Sequence, residues 1–508
     1  MGTHIPSRTE SAASRLGGTS MESKLTPLQG LIFLAIYGLL MIGVTVWVGR
    51  RQKQSTPEFL LASRNVGILA GAMSIAASWI WAPALFVSSQ KAFEQGLPGA
   101  FWFIFPNLAA LLLFAPVALR ARRLLPNGYT LPQYIRMRHG RGVHILYLIQ
   151  FFGLQICSFA VQILAGSTLI QSITGLPFMA VATCLVVIVL TYSLMGGLRA
   201  SVSTDLVQMI LILLICAITV PWAVVEAGGI QTVAKGLGGV TGTFTNVLDP
   251  WVAYSFGIST TIGLLSGPIG DQMHWQRAYA LKRDSDVVKT FVLAAFLFIL
   301  VPLSLSFLGF LAAAEVANGT LAIDNTQIVG ASTVSHLLPD FMLIVFAVML
   351  LAGLCSTLDS ILCAFSALTV ADVFGGKLSP RDLDNDSGLE RVRLARGSML
   401  FAALMGLSIA SIPGLQIIHL FLFYGTLRAS TLIPSVLTLF WPGLKSRAVF
   451  LAVLGSMIFG APLMAAGTYL KSPHLSVAGS LAVVVIGLTV SVVGSRFYSK
   501  SNTTASGL

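Results

Sequence analysis

The feature that most constrains this sequence is a set of long stretches with no Asp, Glu, Lys or Arg: residues 98–119, 142–198, 290–314, 397–427 and 472–495. A helix needs about 20 apolar residues to cross a bilayer. In lipid, unpaired backbone N–H and C=O groups are too costly, so only helices and closed barrels span it. These stretches are continuously apolar, whereas barrel strands alternate apolar and polar residues. The fold class that follows is an all-α integral membrane protein. Composition agrees, since 55% of the 508 residues are hydrophobic and 10% are charged, against about 25% charged in soluble domains.

Apolar runs and their connections predict about thirteen spans, at 26–49, 66–91, 98–120, 143–172, 177–195, 202–224, 250–276, 288–314, 338–373, 393–412, 415–441, 447–469 and 474–495. An odd number puts the termini on opposite sides. With the N-terminus outside, 23 of the 31 lysines and arginines fall in cytoplasmic loops and six fall outside, the asymmetry that sets orientation. The net charge of +12 is then a topology signal, and no nucleic-acid partner is expected. The expected location is a bacterial inner membrane, with the lipid bilayer as partner and a monomer or weak oligomer as the assembly. Residues 1–25 are polar and lack the apolar core of a signal peptide. They are expected to form a disordered periplasmic tail, and 496–508 a cytoplasmic one. The five cysteines, at 157, 184, 216, 355 and 363, lie inside apolar runs and read as small buried hydrophobes.

Two spans carry interruptions. The second contains Gly71-Ala-Met-Ser-Ile-Ala-Ala-Ser-Trp-Ile-Trp-Ala-Pro83, and the seventh contains Gly263-Leu-Leu-Ser-Gly-Pro-Ile-Gly270 followed by Asp271-Gln272. Each opens a five-span block, 66–224 and 250–441, and the two blocks enter the membrane from opposite sides. Unwound backbone at such points frees carbonyls to bind a cation. A proline kink without a ligand role accounts for one such helix. Two at matching positions point to a binding site.

Ionisable groups deep in a span are costly and mark function. Three qualify: Asp205, Asp359 and Arg428. The segment Gly353-Leu-Cys-Ser356-Thr357-Leu-Asp359-Ser360 places hydroxyls and a carboxylate three and four residues apart, on one side of a helix. Oxygen ligands of this kind suit a hard cation. Back-bonding of Ser and Thr to helix carbonyls is the plain alternative. Asp205 is read as an ion ligand or a helix-start cap. Arg428 is read as a site for an anionic solute, or as a counter-charge for Asp359 or Asp205. His274, His336 and His419 lack metal-like spacing.

The residues just quoted resemble the sodium/solute symporter family of proline, sialic-acid and sodium–glucose transporters, over about residues 26–440. Gly196-Gly197-Leu198 running into Thr204-Asp205 with Gln208 is similar to the family's signature, and Ser356-Thr357 to its sodium-binding hydroxyl pair. The resemblance implies a five-plus-five inverted repeat of the LeuT-like, amino acid–polyamine–organocation kind. One extra helix (26–49) precedes it and two (447–495) follow. It implies a sodium site formed by the carbonyls of Ala77, Ile80 and Gly353 and the hydroxyls of Ser356 and Thr357. It also implies a second ion site at Asp205, Ser356, Asp359 and Ser360. Position 359 is Ser or Thr in members where that second site is clear, so Asp359 is a departure. Ala77-Ser-Trp-Ile-Trp81, Gly99-Ala-Phe-Trp102, Leu125-Pro126-Asn127 and Asp271-Gln272-Met-His-Trp275-Gln276 resemble the urea active transporter branch. That implies a small polar solute, and Trp79 standing where proline carriers have an acidic residue disfavours proline.

The function expected is secondary active, sodium-coupled symport of a small-molecule substrate by alternating access. The solute is expected beside the break, near Trp79, Trp81, Gln155, Gln162, Ser266 and Tyr424. Proton coupling through Asp205 or Asp359 is the first alternative, and a transporter-like solute sensor the second. No nucleophile–base–oxyanion set or metal motif lies in the spans, so an enzyme is not expected.

Overall fold

The computed structural model describes residues 25–50, 55–375, 383, 389–415, 424, 425 and 427–504. The tail expected at 1–25 lies outside these except for Leu25, as do residues 505–508 of the C-terminal tail and His419. Among the described residues the regular structure is helical, apart from one isolated bridge between Val66 and Leu281.

Nine helices among the described residues are long and apolar enough to cross a membrane. Two of them are too long for a single crossing. Ala82–Leu124 has 43 residues and Phe178–Glu226 has 49. At about 1.5 Å per residue each exceeds twice the roughly 30 Å hydrocarbon core. Each turns at one glycine in the left-handed region, Gly96 with φ 57° and Gly197 with φ 54°. The second expected span is in two pieces, Ile68–Trp79 and the helix that begins at Ala82. The seventh is in several, ending in Gly267–Gly270 and Gln272–Ala280. The eleventh is described at 424, 425 and 427–440 only.

Gly197 is required twice over. Its φ excludes an L side chain at modest cost, and a Cβ there would stand 2.3 Å from the Phe59 carbonyl oxygen. Gly197→Ala is therefore expected to cost at least about 1–2 kcal/mol from backbone conformation alone. It should lower the thermal unfolding midpoint relative to Gly43→Ala, where a Cβ meets nothing within 4 Å.

At the centre lies the helix Asp340–Leu368. It packs against Phe178–Glu226, Arg141–Thr174 and Ile68–Trp79, and every residue from 349 to 370 is buried. A helix apolar on all sides belongs in such an interior. The polar residues at its middle, Ser356, Thr357, Asp359 and Ser360, are consequently sealed from the surroundings, each fully buried.

Candidate functional site

Ile68–Trp79 stops because Ile80 leaves helical geometry, at φ −82° and ψ 69°, and Trp81 is extended before the next helix starts. The break strips nearby carbonyls of their usual i+4 donors. Two of them, on Ser78 and Ile80, face the central helix. Thr357 Oγ1 lies 3.4 Å from each and donates to Gly353 O at 3.1 Å. Glycine at 353 permits this approach: a Cβ there would lie 3.2 Å from Ile80 O. Three carbonyls and a hydroxyl, with no nitrogen, form a hard-cation donor set.

Of the five residues the resemblance assigned to sodium, Ile80, Gly353 and Thr357 are thus brought together, with Ser78 added. The Ala77 carbonyl sits at the same break and accepts from Ile80 N at 3.1 Å. Ser356 differs, because its hydroxyl turns away and donates to Asp205 Oδ1 at 2.5 Å.

A second cluster adjoins the first. Asp205 Oδ2 accepts from Ser74 Oγ at 2.6 Å and from Arg277 Nη2 at 2.9 Å. Arg277 also donates to Ser360 Oγ at 2.6 Å and to Ser74 Oγ at 2.8 Å. Asp359 accepts from Ser201 Oγ at 2.7 Å, Thr204 Oγ1 at 3.2 Å and Ser360 Oγ at 3.2 Å. Ser360 in turn reaches Ser78 Oγ at 3.3 Å, which ties the cluster to the break. Both aspartates are fully buried and Arg277 is 2% exposed. The formal count is two carboxylates against one guanidinium.

This geometry corrects three expectations. Asp205 does not cap a helix start: it lies inside Phe178–Glu226, eight residues past the Gly197 turn, and its carboxylate takes side-chain donors. Arg277, counted with the cytoplasmic loops because it directly follows the expected span 250–276, instead lies buried in Gln272–Ala280 as the counter-charge of Asp205. Arg428 pairs with neither Asp205 nor Asp359; its Nη2 lies 3.9 Å from Asp271 Oδ2.

Asp271 caps the half-helix Gln272–Ala280, accepting from Met273 N at 3.1 Å. It also accepts from Gln155 Nε2 at 2.9 Å and from Tyr424 OH at 3.4 Å. The Arg428 guanidinium lies over the rings of Tyr424, Trp81 and Trp79, at 4.4, 5.2 and 5.3 Å from their centroids. Gln162 spends its carbonyl on Ala82 N at 2.9 Å, the start of the helix after the break. Gly267 is needed for this packing, since a Cβ would stand 2.3 Å from Trp79 and 2.9 Å from Arg428. Ser266 donates back to Gly263 O at 2.8 Å, a local helix bond.

Several buried polar atoms here have no protein partner: Trp79 Nε1, Gln155 Oε1, Gln162 Nε2, Arg428 Nε and both ring nitrogens of His274. Leaving a buried donor or acceptor unsatisfied costs about 1–3 kcal/mol, so their concentration in one place calls for a functional account. His274, set aside in the sequence for want of metal-like spacing, stands edge-on to Trp79 at 5.0 Å. Its own helix carries Arg277 three residues on, so one half-helix touches both the aromatic group around Trp79 and the charged cluster.

The sequence profile of the sodium:solute symporter family matches residues 59–458. The chain belongs to the sodium:solute symporter family. Among curated proteins, the symporter is 24% identical over 494 residues to a urea-proton symporter of Oryza sativa subsp. japonica. That match covers 89% of this chain and 66% of the rice protein, so the chain spans about two thirds of that relative's length. It is 26% identical over 482 residues to the sodium/glucose cotransporter of Vibrio parahaemolyticus, covering 87% of this chain and 86% of that one. Among solved structures, a Na+-coupled sialic acid symporter in a substrate-bound outward-open state superposes with a TM-score of 0.73 at 17% identity, covering 91% of this chain and 97% of the other. At that identity the likeness establishes the fold alone, a multi-pass, LeuT-like helical one; by their names these relatives are transporters.

Proposed function

We propose that the chain is a secondary active symporter that carries a small, polar, uncharged solute of urea-like size into the cytoplasm, driven by sodium. The observation that carries the sodium reading is the Thr357 hydroxyl among the carbonyls of Ser78, Ile80 and Gly353 at a helix break. The solute reading rests on charge balance at the second break. Asp271 and Arg428 offset one another, so a charged solute would leave one buried charge uncompensated. The neighbouring unpartnered donors and acceptors suit a molecule that both gives and takes hydrogen bonds. The rice relative's name supports a urea-like solute.

In this reading, sodium from outside binds at the Thr357 oxygens and the solute binds against Trp79, Gln155, His274 and Asp271. Closing of the two broken helices around them then opens the route to the cytoplasm. The path crosses the membrane thirteen times, with the N-terminus outside and two inverted five-span repeats. The bent helices at Gly96 and Gly197 and the two helices in pieces are consistent with that path.

Proteoliposomes holding the purified protein test the reading. Replacing external sodium by choline is expected to reduce uptake of labelled urea at least tenfold. Ser356→Ala with Thr357→Ala should do the same in sodium. Uptake indifferent to both changes would sink the sodium reading.

A second reading is favoured by the excess carboxylate beside Arg277. The cluster of Asp205, Asp359 and Arg277 needs one further positive charge to be neutral, and a proton or a second sodium on Asp359 provides it. Proton coupling is what the rice relative's name states of that protein.

A further inference from the structure

One hollow in the outer surface of the helices lies apart from the candidate solute and ion sites. It lies between the helices Arg141–Thr174, Asp340–Leu368 and Leu389–Ala410, and its volume is about 610 Å³. The walls are apolar: Phe152, Ile156, Phe365, Leu394 and Phe401 line it. Phe365 fixes the shape, with Phe152 edge-on at 4.8 Å and Phe401 at 6.3 Å. Gly397 forms part of the wall, and a Cβ on it would meet nothing within 4 Å. At the mouth stands Arg393, which is exposed, in the second turn of Leu389–Ala410. Three residues on, Arg396 lines a smaller hollow of about 510 Å³ on the same helix, beside Leu194 and Thr45.

An apolar cleft facing lipid is filled by lipid, because an empty one forfeits dispersion contacts on every wall. What distinguishes this one is its entrance. None of the ion pairs among the described residues involves Arg393. Basic groups at the head of an interhelical cleft select anionic head groups.

We propose that this hollow is a binding site for one anionic phospholipid, its acyl chain between Phe152, Phe365 and Phe401 and its phosphate at Arg393. The helices it would join include the central helix that carries the ion-binding hydroxyls, so occupancy fastens that helix to Leu389–Ala410. The inference does not depend on which solute or ion is carried.

The test uses the purified full chain in detergent, with phosphatidylglycerol, phosphatidylcholine and inorganic phosphate as probes. Bound lipid is counted by native mass spectrometry and stability is followed by thermal unfolding. Phosphatidylglycerol is expected to bind about fivefold more tightly than phosphatidylcholine, the factor expected of one arginine at an anionic surface. Inorganic phosphate alone should not stabilise. Arg393→Gln should erase the preference, and Gly397→Leu, which fills the hollow, should remove binding of both lipids. Both variants should melt like the parent when no lipid is added. Equal binding of the two lipids by the parent overturns the proposal, as does stabilisation by phosphate alone. Retention of the phosphatidylglycerol preference by Arg393→Gln, or of either lipid by Gly397→Leu, overturns it too and would place the lipid elsewhere.

Discussion

Arg277→Gln is expected to destabilise the folded protein by about 3–5 kcal/mol, the cost of removing one partner from a buried ion pair, and to abolish concentrative uptake. The expectation follows from what the guanidinium does. It is 2% exposed and donates to Asp205 at 2.9 Å, to Ser360 at 2.6 Å, to Ser74 at 2.8 Å and to the Met273 carbonyl at 3.2 Å. Glutamine removes the charge and most of the donors, and leaves Asp205 and Asp359 facing each other's field without compensation. Lysine keeps the charge but not the planar fork that reaches three side chains at once, so Arg277→Lys should recover only part of the loss. Asp205→Asn in the Arg277→Gln background should recover more of the stability than lysine does, because it deletes the orphaned carboxylate. That non-additivity is the signature of a coupled pair. Thermal unfolding of the four proteins in one detergent measures it. A single Arg277→Gln variant that melts with the parent would show that the pair carries no net stability.

The sequence disclosed some layers of this molecule and hid others for identifiable reasons. Membrane residence was legible because a bilayer demands long uncharged runs, and that demand acts on local sequence. The polar face of the central helix was legible too: Ser356, Asp359 and Ser360 follow helical spacing, and the structure gathers them in one buried cluster. What that cluster pairs with was not legible. Arg277 lies just past an apolar run, where a charge ordinarily marks the edge of the membrane, and its partner is 72 residues away. Asp271 was visible only as the residue after a break, and its contacts with Gln155, Tyr424 and Arg428 come from two other segments. A usable signal existed in the spacing Asp271, His274, Arg277. Residues three apart share a helix face, and three polar ones in a half-helix next to a break cannot all face lipid. Ser74 and Ser78, four apart in the other broken helix, gave the same signal. Ser266 misled in the opposite direction, since a hydroxyl beside a break satisfied itself on Gly263. The helix count and the span count differ for a geometric reason: at Gly96 and Gly197 the chain turns through a positive φ between two helical segments that adjoin without a loop, and Leu97 N donates to Leu237 O across the first turn.

Asp359→Asn is expected to lower the steady-state accumulation of solute about 50-fold at a membrane potential of 100 mV while leaving the protein folded. Each charge carried inward across 100 mV contributes about 2.3 kcal/mol, so removing one coupled cation divides the limiting gradient by roughly 50. The choice of Asp359 over Asp205 rests on their partners. Asp205 already has a resident cation in Arg277. Asp359 takes hydroxyl donors from Ser201, Thr204 and Ser360 and makes no ion pair of its own among the described residues, so an exchangeable cation is the charge expected to balance it. Asparagine's carbonyl oxygen can accept from Ser201 and Ser360, which share Oδ1, its NH2 can donate to the Thr204 hydroxyl that now donates to Oδ2, and it needs no cation. Asp359→Asn should therefore fold as well as the parent, unlike Arg277→Gln. Proteoliposomes with a set potassium diffusion potential and labelled urea measure the accumulation ratio. Repeating the measurement with sodium absent, and then with no pH gradient, identifies the cation that was lost. If sodium at the Thr357 oxygens is the sole coupled ion, the accumulation ratio of Asp359→Asn will equal that of the parent. That outcome would assign Asp359 a purely structural place in the cluster.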